Sequence, residues 1–314
     1  MKHAFLIIAH NNWWQLEQLM RQLDHPDNYL FIHIDKKSKD FRQYRFAGVL
    51  KHSEVVFYQE YEVFWGGYSQ VQTEMLLFKE AASIGFDYYH IMSGGDLLLK
   101  PMSEFHRFFE ENKGKEFIEY DDHQLKSDPE ISRRTRLYHY LQNYRRRYKV
   151  RLFNEFFTFC ERVSLVLQIL CRVNRTKDLD WEIKYGSNWV SITDDLVAEL
   201  IRQQDKIEKV FSHTNSGDEL FVQTVAWNCG FKDRIYTVND YGYTDNKRLV
   251  DWMRGSNGNP YTFRRDDLKF LRCSDALIAR KFSETVDREI IEIICGLRDP
   301  DDKSPCQKGI GKYE

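Results

Sequence analysis

The chain has 314 residues, a formal net charge of −2 at pH 7, 30% charged residues and 15% aromatic ones. That length suffices for a sizeable core in one large domain or two small ones. The near-neutral charge excludes a chain whose main partner is a polyanion, so no nucleic acid is expected.

"AFLIIAH" (4–10) is a short continuous apolar run that stops at Asn11, as a buried parallel strand would. "WWQLEQLMRQLD" (13–24) carries apolar residues at helical spacing, and "NYLFIHID" (28–35) predicts a second strand ending in an acid. "EVVFYQE" (54–60) predicts a third strand, "SQVQTEMLLFKEAAS" (69–83) a helix and "DYYHIM" (87–92) a fourth strand. This alternation predicts an α/β fold with a parallel sheet, helices on its faces and ligands beyond the C-terminal strand ends. Those ends read His10, Asp35 and Gly94-Gly95-Asp96. Glycines after a strand let a backbone approach a ligand, and the carboxylate can accept hydrogen bonds from sugar or ribose hydroxyls. The competing reading is a tight turn with a solvated acid.

Residues 133–151 hold eight basic residues and no acidic one, and "LFNEFFTFCERVSLVLQILCRV" (152–173) follows with an apolar helical pattern. Basic then apolar is a membrane-surface signature, and Glu155, Glu161 and Arg162 argue against a spanning helix. The alternative is an arginine face open to solvent or acceptor over helices that belong to the core. "NWVSIT" predicts a strand followed by a helix that Thr193 or Asp194 caps. "SGDE" before "LFVQTVAW" sets Asp218 and Glu219 at or near a helix N-terminus, where the dipole favours carboxylates. The tail 267–294 reads as two helices separated by "SDALIARKF". No repeat or linker marks a boundary, so 1–314 is expected to be a single domain with a helical insertion at 133–175 that faces a membrane or an acceptor.

Six cysteines (160, 171, 229, 273, 295, 306) form no CxxC pair and no zinc spacing, which predicts reduced thiols. The apolar run at the start is too short for a signal peptide and lacks a small-residue cleavage site, so a cytoplasmic protein is expected. The 18 Tyr, 22 Phe and 7 Trp are mostly core material, with a lean toward sugar-binding surfaces.

"IIAHNN", "FIHIDKKS", "VFWGGYSQVQ", "MSGGDLLL", "YGSNWVSIT", "SGDELFVQT" and "ALIARKF", in that order nearly end to end, resemble the core-2/I-branching β-1,6-N-acetylglucosaminyltransferases and protein O-xylosyltransferases in a compact bacterial form. The resemblance implies a GT-A-like (Rossmann-like) α/β fold, a mixed sheet flanked by helices, and inverting transfer of a sugar, GlcNAc first and xylose next, from a UDP-sugar to a glycan hydroxyl. Such chemistry needs a base for the attacking hydroxyl, cations for the leaving diphosphate and a site for an oxocarbenium-like sugar. Glu219 matches the family's catalytic glutamate and Lys281 its diphosphate-binding lysine. Ile8, Ala9, His10, Asp35 and Trp65 match the nucleotide pocket, and Gly94, Gly95 and Asp96 stand on the donor side. Trp252, with Asp218 and Ser187, is placed on the acceptor side.

Where the family has a second diphosphate-binding arginine this chain has Tyr261, and Arg254, Arg264, Arg265 or Arg280 could substitute. The strings "DLD" (178–180) and "DPD" (299–301) follow no apolar strand, so neither is expected to hold a metal, and the resemblance implies a metal-independent transferase with no cofactor. The implied partners are a UDP-sugar and a glycan acceptor carried on a lipid, met at the inner face of a membrane through 133–173. Two alternatives stay open: a non-catalytic carbohydrate-binding or assembly protein on the same fold, and a metal-dependent transferase or UDP-sugar hydrolase.

Overall fold

The computed structural model describes residues 1–144, 150–238, 244–256 and 258–298. The four apolar runs become β1 (His3–Ala9), β2 (Asn28–Ile34), β3 (Glu54–Tyr58) and β4 (Tyr88–Ser93), with α1 (Trp13–Leu23) and α2 (Tyr68–Ala82) between them. β5 (Asp96–Leu98) follows two residues after β4, and then come α3 (Met102–Glu111), α4 (Asp122–Ser127), α5 (Pro129–Arg136) and α6 (Arg151–Leu170). β6 (Ser191–Thr193) leads into α7 (Asp194–Arg202), α8 (Gln204–Phe211) and α9 (Phe221–Asn228). β7 (Arg248–Val250), α10 (Leu268–Cys273), β8 (Ile278–Arg280) and α11 (Arg288–Ile294) complete the described chain.

The main sheet has the order β3-β2-β1-β4-β6. Its first four strands are parallel and β6 is antiparallel to β4. A second sheet has the order β5-β8-β7, so Gly94-Gly95 is the corner at which the chain leaves one sheet for the other. The α/β architecture with helices flanking the sheet is present, and the antiparallel β6 makes the sheet mixed, where the alternation alone predicts a parallel one.

Its cause lies in the period of two along each strand. In β1, Phe5, Ile7 and Ala9 pack with Leu16 and Leu19 of α1, with Leu97 and Ile278 of the second sheet, and with Ile290 of α11. Ala4 and Leu6 point the other way, to Val71 and Phe78 of α2, Leu196 of α7 and Val225 of α9. Both faces are covered, which is why the strand reads as an unbroken apolar run. Each large side chain fully buried in this way contributes roughly 1.5–3 kcal/mol.

The tail has its two expected helices, α10 and α11, and "SDALIARKF" between them contains β8, a three-residue strand too short to show a period. Three expectations need correction. Thr193 precedes α7 but makes no capping bond; its hydroxyl donates to Glu116 Oε1 at 2.6 Å, and Asp194 accepts from the Tyr89 hydroxyl at 2.5 Å. The apolar pattern of α6 is not core: Leu152, Phe156, Phe159 and Leu170 are 71%, 57%, 65% and 73% exposed. Cys273 is disulfide-bonded, while Cys160, Cys171, Cys229 and Cys295 are free. A single bridge leaves no spacing signature, and its presence removes the cysteine argument for a reducing compartment.

No helix among the described residues is long and apolar enough to cross a membrane. "DPD" and Arg145, Arg146 and Arg147 of the basic stretch lie outside the described residues. Asp180 of "DLD" is paired with Lys206 Nζ at 2.6 Å, away from any strand end.

Candidate active site

The predicted strand-end residues do converge. Backbone hydrogen bonds stitch the ends together: Asp35 N to Ala9 O at 2.9 Å, Gly94 N to Ile8 O at 3.0 Å and Phe282 N to Gly95 O at 2.8 Å. Buried Gln15 of α1 braces the same corner by donating to Gly94 O at 3.1 Å and Phe282 O at 3.2 Å. His10, Asp35, Arg280 and Lys281 are thereby held at one edge.

The field at this edge is positive. Desolvation lowers the pKa of His10, with Lys281, Lys37 and Arg280 adding to the effect and Asp35 opposing it. Asp35 is committed: its Oδ1 accepts from Lys37 N at 2.9 Å and its Oδ2 lies 3.2 Å from Lys37 Nζ. Burial and the neighbouring Arg280 lower the pKa of Lys281. A half-buried cation beside a second one is suited to a dianionic group such as a diphosphate.

The "SGGD" stretch works differently from either sequence reading. Asp96 is 1% exposed, so it is not a solvated acid, and its oxygens are already taken. Oδ2 accepts from Ser93 N at 2.9 Å and Oδ1 from Ser93 Oγ at 2.8 Å and Arg280 Nη1 at 2.9 Å. Arg280 also bonds Ser93 Oγ and stacks on Trp189 with its guanidinium carbon 4.2 Å from the ring centroid. Asp96 thus positions Arg280 rather than presenting free acceptors to a hydroxyl. A Cβ on Gly94 would sit 3.0 Å from the Ala9 Cβ, and one on Gly95 3.5 Å from Phe282 O. Here the glycines let β4 turn against the end of β1.

The other wall carries Glu219. Ser216, in the left-handed region at φ 51°, starts a 3₁₀ turn over Gly217–Glu219 just before α9, and Ser216 N is tied to Gly66 O at 2.8 Å. Consecutive carboxylates then point apart. Asp218 turns inward, accepting from Gln70 Nε2 at 2.8 Å and Asn188 Nδ2 at 3.4 Å, and its Oδ1 is buried with no partner. Burial, reinforced by the neighbouring Glu219, pushes its pKa up to about 7.

Glu219 faces outward and pairs with Arg134 Nη1 of α5 at 2.5 Å. Burial raises its pKa and Arg134 opposes the rise. Tyr185, pushed up to about 12 by burial and by Glu219, lies beside the pair. Ser187 is half-buried in this strip, its carbonyl accepting from Gln223 Nε2 at 2.6 Å. The strip runs on through Asn188 to Trp189, and so joins the Asp218 turn to Arg280.

Outer residues are less constrained. Trp65 and Trp252 are exposed, and Gly258 approaches the Trp65 ring, which brings the loops after β3 and β7 together. Arg254 lies over the Tyr261 ring at 4.0 Å, so an arginine does reach the position where the sequence shows Tyr261. It is neutralised there by Asp251 and Asp267, each at 2.6 Å. Arg265 instead reaches Glu289 at 3.5 Å.

Sequence reasoning missed Lys37, Arg134 and Trp189 as members of this site. Lys37 had a signal in the basic pair that follows the β2 end. Arg134 stood in the basic stretch 133–151, one reading of which was a face open to an acceptor, but nothing in the sequence paired it with Glu219, 85 positions away.

The family model for the Core-2/I-Branching enzyme matches residues 3–272. Xylosyltransferase sqv-6 of Caenorhabditis briggsae is 25% identical over 321 residues, covering 93% of this chain and 36% of the relative. The N-acetyllactosaminide beta-1,6-N-acetylglucosaminyl-transferase of Homo sapiens is 22% identical over 299 residues, covering 89% and 67%. This chain therefore spans about a third of the length of its xylosyltransferase relatives. Among solved structures, apo mouse Xyloside xylosyltransferase 1 is matched over 88% of this chain and 96% of that one, with 12% identity and a TM-score of 0.37.

Proposed function

Because the chain belongs to the Core-2/I-Branching enzyme family, we propose that it is a glycosyltransferase moving a sugar, GlcNAc before xylose, from a UDP-sugar to a glycan hydroxyl with inversion. The observation that carries this reading is the Asn188–Trp189 strip, which joins the turn bearing Glu219, a partly buried carboxylate, to Arg280 beside Lys281. Glu219 takes the acceptor proton as the acceptor oxygen bonds to the anomeric carbon. The bond from that carbon to the UDP oxygen breaks, and Lys281 and Arg280 meet the charge left on the diphosphate.

The proposal includes metal independence. Both carboxylates at the strand ends are already occupied, Asp35 by Lys37 and Asp96 by Ser93 and Arg280, which supports a donor site served by Lys281 and Arg280. A lipid-linked acceptor is also proposed. Leu152, Phe156, Phe159, Val163, Val166 and Leu170 are exposed and recur at steps of four and three along α6, one apolar stripe along a helix of roughly 30 Å. The adjoining α5 delivers Arg134 to Glu219, so the insertion links such a surface to the base.

The test is calorimetry of UDP, UDP-GlcNAc and UDP-xylose with EDTA present, on the native chain and on Lys281→Ala. The expected result is metal-free binding that weakens about tenfold in the variant, about 1.4 kcal/mol. Binding that appears only after manganese is added would overturn the metal-free donor site.

A further inference from the structure

The opposite, N-terminal end of the parallel strands holds a second cluster of chemistry-bearing side chains. His25 and Asp27 lie in the turn between α1 and β2, and His106 on α3 covers them. One ligand-type atom from each of the three falls within 4.8 Å of the other two. The His25 and His106 ring centroids are 4.3 Å apart, and His25 Nδ1 is 3.9 Å from Asp27 Oδ2.

The surroundings fix the tautomer of His106. Asn28 Nδ2 donates to Leu23 O at 2.8 Å, which turns its Oδ1 toward His106 Nε2 at 2.8 Å. His106 must therefore carry its proton on Nε2 and present the Nδ1 lone pair. A ring nitrogen fixed through its far side by an amide or carboxylate oxygen is the usual support of a metal-bound histidine.

A second observation points to a ligand. His3, fully buried, has its ring 4.4 Å from that of His106. Its Nδ1 is bonded to His90 Nε2 at 2.9 Å, while its Nε2 is buried with no hydrogen-bond partner. An unpaired nitrogen in that position costs free energy unless something beside His106 satisfies it.

We propose that His25, Asp27 and His106 bind a divalent transition-metal ion, with His106 ligating through Nδ1 and the ion, or a water on it, meeting His3 Nε2. Two imidazoles and one carboxylate suit zinc, and also nickel or copper. They do not suit magnesium or calcium, which take oxygen ligands. The site is structural. It clamps the α1–β2 turn to α3, and its neighbour His3 lies seven residues along β1 from His10, roughly 23 Å at about 3.3 Å per residue. It is thus separate from the proposed sugar transfer.

The test uses the untagged full chain, stripped with EDTA and desalted, titrated with zinc chloride by calorimetry. One zinc per chain is expected, with binding weakened about tenfold or more in His25→Gln and in Asp27→Asn, whose side chains are exposed enough to be exchanged without disturbing packing. Zinc raises the melting temperature of the native chain and not of the variants. Cobalt gives a visible absorption band that His106→Gln abolishes, with unchanged circular dichroism as the control for folding. Equal zinc affinity in the native chain and both exposed-site variants, or competition by magnesium at the same concentration, would overturn the proposal. UDP binding reads the other end of the strands, and zinc leaves it unchanged.

Discussion

Removal of Arg134 tests the assignment of Glu219 as the base. The two groups meet at 2.5 Å with side chains 25% and 28% exposed. Unit charges 4 Å apart near a protein surface attract by about 4 kcal/mol. With both a quarter open to water, screening brings the effective hold to about 2 kcal/mol. That is a factor of roughly 30 in the ionisation of Glu219.

The sign follows from the direction of the shift. Burial raises the Glu219 pKa and Arg134 restrains the rise, so Arg134→Ala raises it further. The base form is then lost at a higher pH. Stability moves the same way: a carboxyl raised in the folded state costs stability as pH rises from its unfolded toward its folded pKa, and the variant pays more. The assay is the pH dependence of kcat/KM for transfer. The acid limb of Arg134→Ala is expected at higher pH, with up to about 30-fold less activity on that limb and convergence with the native chain at high pH. Arg134→Lys, which keeps the charge, recovers most of the loss. An acid limb that does not move in Arg134→Ala would refute the reasoning.

Asp96→Asn strips a buried carboxylate of its charge while Arg280, 20% exposed, stays in place. A loss of about 2–4 kcal/mol in urea unfolding is expected, with weaker UDP binding. Asp218, pushed up to about 7 by burial and Glu219, binds a proton on folding between its unfolded and folded pKa values. Native stability therefore falls as pH rises from about 4 to 7, and Asp218→Asn flattens that slope in urea midpoints taken at both ends. In α6, replacing exposed Phe156 and Phe159 by Ser changes stability by no more than about 0.5 kcal/mol each but reduces flotation with anionic vesicles. Flotation equal to that of the native chain would remove α6 from the proposed membrane contact.

The legible part of the fold was the part with long runs. β1, β2, β3 and β4 with α1 and α2 carry enough residues for a period to show, and burial on both sheet faces makes the strands apolar throughout. β5, β7 and β8 have three residues each and are held by pairing with one another, which no local pattern records. The same division applies to the site. His10, Asp35 and Lys281 could be placed because each follows a strand or a motif. The Arg134–Glu219 and Arg280–Asp96 pairs, 85 and 184 positions apart, exist only after folding. α6 shows the limit of pattern alone, since an apolar helical period says which face is greasy and not what covers it.

Gly94 is where the two readings of one short stretch can be separated. If it is needed for packing, the cost of a methyl group there comes from Ala9, whose Cβ would lie 3.0 Å away, with Leu16 Cδ1 at 4.0 Å. Gly94→Ala is then expected to cost about 1–3 kcal/mol, and Ala9→Gly about 0.5–1 kcal/mol. The double variant removes the collision, so it should be more stable than the sum predicts by about 1 kcal/mol or more. Urea unfolding of the four proteins measures this coupling directly. If the glycine instead keeps space open for a donor, the costs add and Ala9→Gly rescues nothing. UDP affinity would then fall in Gly94→Ala with stability little changed. Ala9 and Gly94 are joined through Ile8 O and Gly94 N at 3.0 Å, so the backbone has little room to relax. For that reason, the packing reading predicts a coupling larger than the error of the measurement.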